Sequence, residues 1–202
     1  INIYDGRVDF MNKDTTQIFM TELDTYLFGQ GTHYEIYNKM GAHLAVKNGK
    51  EGVYFVVWAP KAKEVYVVGD FNDWRAYGYD MKPVSDGGVY ELFVEGARAG
   101  QCYKFLIISQ DGEALYKADP YANAAQLRPE TASVITDLTG FKWTDDKWVE
   151  NKKKEDHLSS AMSIYECHIG SWRKQKDGTK DGYMNYRDIC LLYTSPSPRD
   201  ST

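Results

Sequence analysis

Between Leu44 and Thr136 the chain is a succession of short runs with alternating side chains, each closed by Gly, Pro or Asp, and this pattern leaves room for strands and not for helices. Gly52 to Pro60 reads GVYFVVWAP, with Val53, Phe55 and Val57 set against Tyr54, Val56 and Trp58. Glu64 to Phe71, Gly88 to Glu95, Gly100 to Ser109, Ala114 to Lys117 and Ala132 to Asp137 follow. Turn residues fall between them: Asp-Gly-Gly at 86–88, Gly96, Gly100 and Asp-Gly at 111–112. Period-two segments rich in Val, Ile, Tyr and Phe at this spacing predict an antiparallel β-sandwich. About a dozen inward positions are available, and each large side chain buried contributes roughly 1.5–3 kcal/mol, enough to sustain a two-sheet core.

The flanks have other textures. Residues 1–43 form a mixed lead-in, in which Thr16 to Tyr26 predicts a short helix capped by Thr15 or Thr16, and 27–43 an irregular stretch packing on the next element. The sandwich is expected over 44–138. Residues 139–161 read as a polar linker, its Lys152–Lys154 run a solvated face and Trp143 and Trp148 anchors to a neighbouring surface. Residues 162–189 predict a buried strand (MSIYECHIGSW, 162–172), a polar loop and a helix start near Asn185, the opening of a βα unit with nothing after it to continue the pattern. In 190–202 Pro196 and Pro198 forbid a continuing helix, and the segment reads as a disordered, non-native tail. Ile1 in place of an initiator Met points to truncation at the other end.

Composition narrows the partners. A net charge of −5 offers no footprint for nucleic acid or an anionic membrane, and no apolar run reaches the roughly 20 residues of a membrane span. Three cysteines at unpairable spacing and no signal peptide suggest a reducing cytoplasm. No His/Cys/Asp cluster has metal-ligand spacing and no Gly-rich phosphate loop follows a strand, so neither metal nor cofactor is expected. His168 reads as structural, as do His33 and His43. A neutral polymer or small molecule is the expected partner, and 16 Tyr, 8 Phe and 5 Trp supply rings for a core or for ligand platforms.

Four blocks carry a resemblance. YLFGQGTHYEIYNKMGAHL (26–44), VVWAPKAKEVYVVGDFNDW (56–74), YKADPYANAAQLRPETASVI (116–135) and SIYECHIGSWRK (163–174) resemble, in order, the lead-in, sandwich module, module exit and first barrel strand of bacterial glycogen branching enzymes. The resemblance covers about residues 24–189. It implies an immunoglobulin-like, glycogen-binding type of sandwich followed by the truncated first βα unit of a (β/α)8 barrel. It implies a retaining chemistry that cuts an α-1,4 glucan bond and transfers the chain to a 6-hydroxyl through a paired Asp and Glu. Those carboxylates belong to later barrel strands, and a barrel needs about 250 residues, so no catalytic residue is assigned here. Asp119, Glu166, Asp177 and Asp181 match none of the family's catalytic motifs.

For binding, the resemblance implies Trp74 as a stacking platform for a glucose ring, Lys104 as a partner to its hydroxyls and Tyr116 as a second aromatic, with Thr131 and Ser133 as weaker polar contacts. The expected ligands are α-glucans: glycogen, amylose and maltooligosaccharides. Packing of these residues against a barrel is the alternative for each. Two other readings of the chain stand beside the first: a non-catalytic glycogen-binding module, which the barrel-like strand opposes, and a debranching hydrolase with the same module, which the GTHY…GAH block opposes.

Overall fold

The structure, a computed structural model, describes residues 19–156, 158–161, 163–174 and 182–194. It divides into two compact units, residues 1–144 and 145–202. The first is the sandwich. One sheet orders β1 (Gly41–Lys47), β2 (Lys50–Trp58), β5 (Val89–Glu95) and β4 (Lys82–Pro83) as β1-β2-β5-β4. The other orders β3 (Ala62–Gly69), β6 (Cys102–Ser109), β9 (Ser133–Val134) and β8 (Ala124–Ala125) as β3-β6-β9-β8, with β7 (Ala114–Lys117) also paired to β6. All pairings are antiparallel.

The alternation read from the sequence decides which side chains meet. Val53, Phe55 and Val57 from β2 face Val65 and Val67 from β3 and Tyr103 and Phe105 from β6. At the centre the Phe55 ring lies 5.1 Å from Tyr103, and Tyr103 lies 5.8 Å from Phe105, both edge-on. The other face of β2 is not solvated. Tyr54 and Val56 belong to a second apolar cluster with Met40, Ala45 and Val89, packed by Phe19, Met20, Phe28 and Ile36 of the lead-in. The central strand is therefore buried on both sides over the six residues Gly52 to Val57, which is why all five after the glycine are apolar or aromatic.

The lead-in is ordered by one carboxylate. Helix α1 (Glu22–Gly29) begins at Thr21, whose hydroxyl accepts from the Asp24 amide while Asp24 accepts from the Thr21 amide at 2.9 Å. The same carboxylate meets His33 Nε2 at 2.8 Å and Lys39 Nζ at 3.0 Å. Burial works to raise its pKa, but the hydrogen bonds from Thr21, His33 and Lys39 hold it well below the usual carboxylate range. The helix thus starts at Thr21 rather than at Thr15 or Thr16, because Thr21 is followed at N3 by a side chain that completes the capping box. The strand β1, within the stretch read as irregular up to residue 43, starts at Gly41.

The second unit departs further from the sequence reading. Within the stretch read as a linker, residues 146–154 form helix α2 (Asp146–Lys154). Trp143 meets the Phe141 ring edge-on at 4.9 Å and is 57% exposed, while Trp148 is 60% exposed with Lys152 Nζ 4.9 Å over its ring. The strand read over 162–172 is absent from the described residues 163–168, and Ile169–Trp172 make a single helical turn, α3. A parallel barrel strand takes its hydrogen bonds from neighbours on both sides. Ile164 and Tyr165 are correspondingly exposed. Helix α4 (Tyr186–Thr194) confirms the helix start near Asn185 and carries ordered backbone to Thr194, into the segment read as tail; 195–202 lie outside the described residues.

Candidate glucan-binding face

The outward face of the β3–β6–β7 sheet is fixed by register. Tyr103, Phe105 and Ile107 of β6 point to the core, so Cys102, Lys104, Leu106 and Ile108 point away from it. Val68 pairs with Lys104 and Leu106 with Tyr116, which puts Lys104 and Tyr116 on the same outer face as diagonal neighbours about 7–8 Å apart at the backbone. Tyr116 is 57% exposed. Lys104 Nζ donates to Thr131 Oγ1 at 2.7 Å, so the chain that leads into β9 holds the ammonium beside the face.

Trp74 follows β3 on a strained turn. β3 ends at Gly69, where a side chain is impossible: a Cβ would lie 2.3 Å from the Cys102 carbonyl oxygen. A short 3-10 turn, Asp70–Asn72, follows, with Asn72 Oδ1 accepting from the Gly69 amide at 2.9 Å and Asn72 Nδ2 donating to the Val67 carbonyl. Asp73 and Trp74 then both take left-handed backbone, at φ +52° and +60°. Such a conformation is costly for a bulky side chain and persists where the surroundings enforce it, most often at functional positions. Here the Trp74 amide donates to the Gly69 carbonyl at 3.0 Å and its indole Nε1 donates to Asp70 Oδ1 at 3.1 Å. The second oxygen of Asp70 accepts from the Cys102 amide at 2.7 Å. Asp70 therefore ties the indole to the strand that carries Lys104. Its neighbour, the Cys102 thiol, is pushed up first by burial and then by the Asp70 charge.

The indole is 39% exposed, and with its N–H already used it can offer a ligand its ring face and not a donor. Asn72 spends one N–H and one oxygen lone pair inside the turn, which fixes its side chain as part of the turn's framework. Ser133 is buried at 1%, its Oγ accepting from the Asp119 amide, so it is no ligand contact and belongs to the scaffold. That scaffold is a buried set: the Tyr103 hydroxyl donates to Asp119 Oδ2, and the Tyr121 amide donates to Asp119 Oδ1 at 2.8 Å. It fixes the chain three residues after Tyr116 and two residues after Thr131, and so holds both flanks of the face. Sequence reasoning missed Asp70 altogether, since a carboxylate at a strand end carries no signal until the turn brings it back to β6.

The remaining candidates are elsewhere. His168 Nδ1 lies 2.8 Å from Ser171 Oγ on the exposed α3 turn. His33 is held by Asp24 and His43 Nε2 by the Met40 carbonyl, and burial pushes His43 down. Among the described residues no group of three or more His, Cys, Asp or Glu is placed to hold a metal ion, and no helix is long and apolar enough to cross a membrane. Cys102, Cys167 and Cys190 are not joined in disulfides.

Comparison with known proteins gives this geometry a family. Residues 39–122 match Carbohydrate-binding module 48 (Isoamylase N-terminal domain). The chain is 56% identical over 173 residues to the 1,4-alpha-glucan branching enzyme GlgB of Butyrivibrio fibrisolvens, covering 86% of this chain and 27% of that protein. It is 47% identical to the enzyme of the same name from Protochlamydia amoebophila and 43% to that of Rhodopirellula baltica, in each case over 24% of the relative. The chain spans about a quarter of the length of the curated relatives it matches. The chain thus joins a sandwich of the module-48 type to a strong likeness, over most of its own length, to the N-terminal region of glycogen branching enzymes.

Proposed function

We propose that this chain is the α-glucan-binding N-terminal region of a 1,4-alpha-glucan branching enzyme, and that Trp74, Lys104 and Tyr116 form its glucan platform. The complete enzyme cleaves α-1,4 links in a linear glucan and passes the chain to a 6-hydroxyl, making α-1,6 branches in glycogen. The residues described here serve that reaction by holding substrate rather than by bond breaking.

The observation that carries the reading is the Trp74 turn: an indole forced into left-handed backbone, its N–H committed to Asp70 and its face left to solvent. A glucose ring presents a C–H-rich face that covers such an indole while its edge hydroxyls seek donors and acceptors. Lys104, with two ammonium protons beyond the one given to Thr131, supplies donors beside the platform, and Tyr116 a second, smaller ring. The ligands that suit it are maltooligosaccharides, amylose and the outer chains of glycogen. Two stacked rings at about a kcal/mol each, together with charge-assisted hydrogen bonds from Lys104 of about 1.5–3 kcal/mol, bring a short oligosaccharide to roughly millimolar affinity. Affinity electrophoresis in glycogen-containing gels tests this: the parent should be retarded and Trp74→Ala should run as in a gel without glycogen, with circular dichroism unchanged. A variant retarded like the parent removes Trp74 from the site.

A further inference from the structure

We propose that a groove along the outer edge of β3, built around Tyr66 and Tyr77, is a second α-glucan subsite that lengthens the Trp74 platform for longer chains. The proposal rests on the glucan-binding reading above and adds a site to it. Register places Tyr66 directly across β6 from Tyr116, since both pair with Leu106, so the two rings lie in one row on the outer face, two strands and roughly 10 Å apart. From Tyr66 the face continues into a groove floored by β3 and walled by residues 76–83.

That wall is rigid. The Tyr79 amide donates to the Ala76 carbonyl, closing a turn around Tyr77 and Gly78, whose φ is +83°. The Val67 amide donates to the Tyr79 carbonyl at 3.2 Å and the Met81 amide to the Val65 carbonyl at 2.8 Å, so the segment lies along the edge of β3 as an added strand would. The Tyr79 ring packs on Phe71, 6.0 Å between centroids. The turn so held presents Tyr77 at 96% exposure, its ring in solvent and three residues from Trp74 in the same loop.

The polar lining selects the ligand class. Lys63 and Lys82 balance Glu64 and Asp80, and the charges are largely answered within the groove: Lys82 donates to Asp80, and the Tyr66 hydroxyl donates to Glu64 at 2.6 Å. A groove without net charge has no attraction for phosphates or for an acidic peptide. Rings flanked by two carboxylates and two ammonium groups, each with hydrogen-bonding capacity left over, fit a neutral polyhydroxylated chain. Continuity through the Tyr66–Leu106–Tyr116 row makes that chain the same glucan that lies over Trp74. A ligand long enough to engage both parts gains from linking the two contacts, whereas a short one fills only the first.

The experiment measures binding of maltotriose and of maltoheptaose to the full chain by calorimetric titration, for the parent, Tyr77→Ala and Trp74→Ala. Tyr77→Ala should weaken maltoheptaose roughly five-fold, the scale of one aromatic contact, and leave maltotriose within about two-fold. Trp74→Ala should weaken both. Unchanged maltoheptaose binding in Tyr77→Ala, with Trp74→Ala still defective, overturns the groove and spares the platform. An equal loss of both ligands in Tyr77→Ala overturns the extension, because Tyr77 then belongs to the first site. A change in the elution volume of Tyr77→Ala on size exclusion with glucan affinity intact makes the groove a contact between copies and also overturns it. A parent that binds neither sugar overturns platform and groove together.

Discussion

Replacing Tyr103 by Phe removes one oxygen from the centre of the molecule, and its consequence depends on pH in a direction that the structure fixes. Tyr103 is fully buried and Asp119 is 7% exposed, with the hydroxyl donating to Asp119 Oδ2. Burial raises the Asp119 pKa from its ordinary value of 3.8, and the bonds from Tyr103 and the Tyr121 amide pull it partly back. A carboxyl raised in the folded state holds its proton more tightly than the unfolded chain does. Stability therefore falls as pH rises from the unfolded value through the folded one. Without the Tyr103 hydroxyl the charged form loses a donor, Asp119 rises further, and this fall becomes larger. Below the unfolded value only a neutral hydrogen bond is lost, costing about 0.5–1.5 kcal/mol; above the folded value a bond to a buried charge is lost, costing about 1.5–3 kcal/mol. With a urea slope of about 1–3 kcal/mol/M, the midpoint should move by about 1 M at neutral pH and by less than half of that in acid. Equal shifts at the two pH values, or none at pH 7, would refute the role given to this pair. Because the pair also holds the segment between Tyr116 and Thr131, the variant should bind glucan more weakly even where it remains folded.

Three further outcomes follow from other contacts. Asp24 is depressed in the folded state, so the stability it contributes is present above the unfolded value of 3.8 and is lost as pH falls below it; amide exchange should show residues 22–40 losing protection at pH 2.5 before β2 and β6 do, and retained protection there would contradict the hub. Phe55→Ala, which empties the space between the Tyr103 and Phe71 rings, should destabilise by about 3–5 kcal/mol in urea unfolding, and a cost under about 1 kcal/mol would mean that the two sheets do not meet there. The purified chain should neither branch nor hydrolyse amylose in iodine-staining and reducing-end assays, since it spans about a quarter of its relatives and a catalytic barrel alone takes about 250 residues; activity that co-purifies with the chain would overturn this.

The sandwich was legible because its strands carry their own signal. Alternation in 52–58, 64–69 and 89–95, with Gly-rich turns between, determines both the secondary structure and the faces, and the boundaries differ by a residue or two. β1 was less visible: GAHLAVK lacks strict alternation, since His43 turns to the Met40 carbonyl and the lead-in covers part of its surface. Helix α2 was hidden by its polarity. DKWVENKKK has no apolar stripe, yet Asp146 in its first turn and Lys152 to Lys154 in its last complement the helix dipole, a signal that charge counting alone reads only as a solvated face. The segment 163–168 shows the opposite failure: a β-like pattern without pairing partners is not a strand. Trp74, Lys104 and Tyr116 were found by resemblance, whereas Asp70, Tyr66 and Tyr77 needed the fold, because register and a closing turn are what bring them to the face.

The central claim is that the Trp74 face holds α-glucan, and the most direct measurement is a titration of the ¹⁵N-labelled chain with maltoheptaose followed by nuclear magnetic resonance. Five tryptophan indole signals are available, and Trp74→Phe identifies the one that belongs to Trp74. On this account the Trp74 indole signal moves and saturates at roughly millimolar ligand, together with the backbone amides of Lys104 and Tyr116, while the Trp58 and Trp148 indoles stay in place. A Trp74 indole that keeps its position up to saturating maltoheptaose, or shifts confined to Trp58 or Trp148, would contradict it.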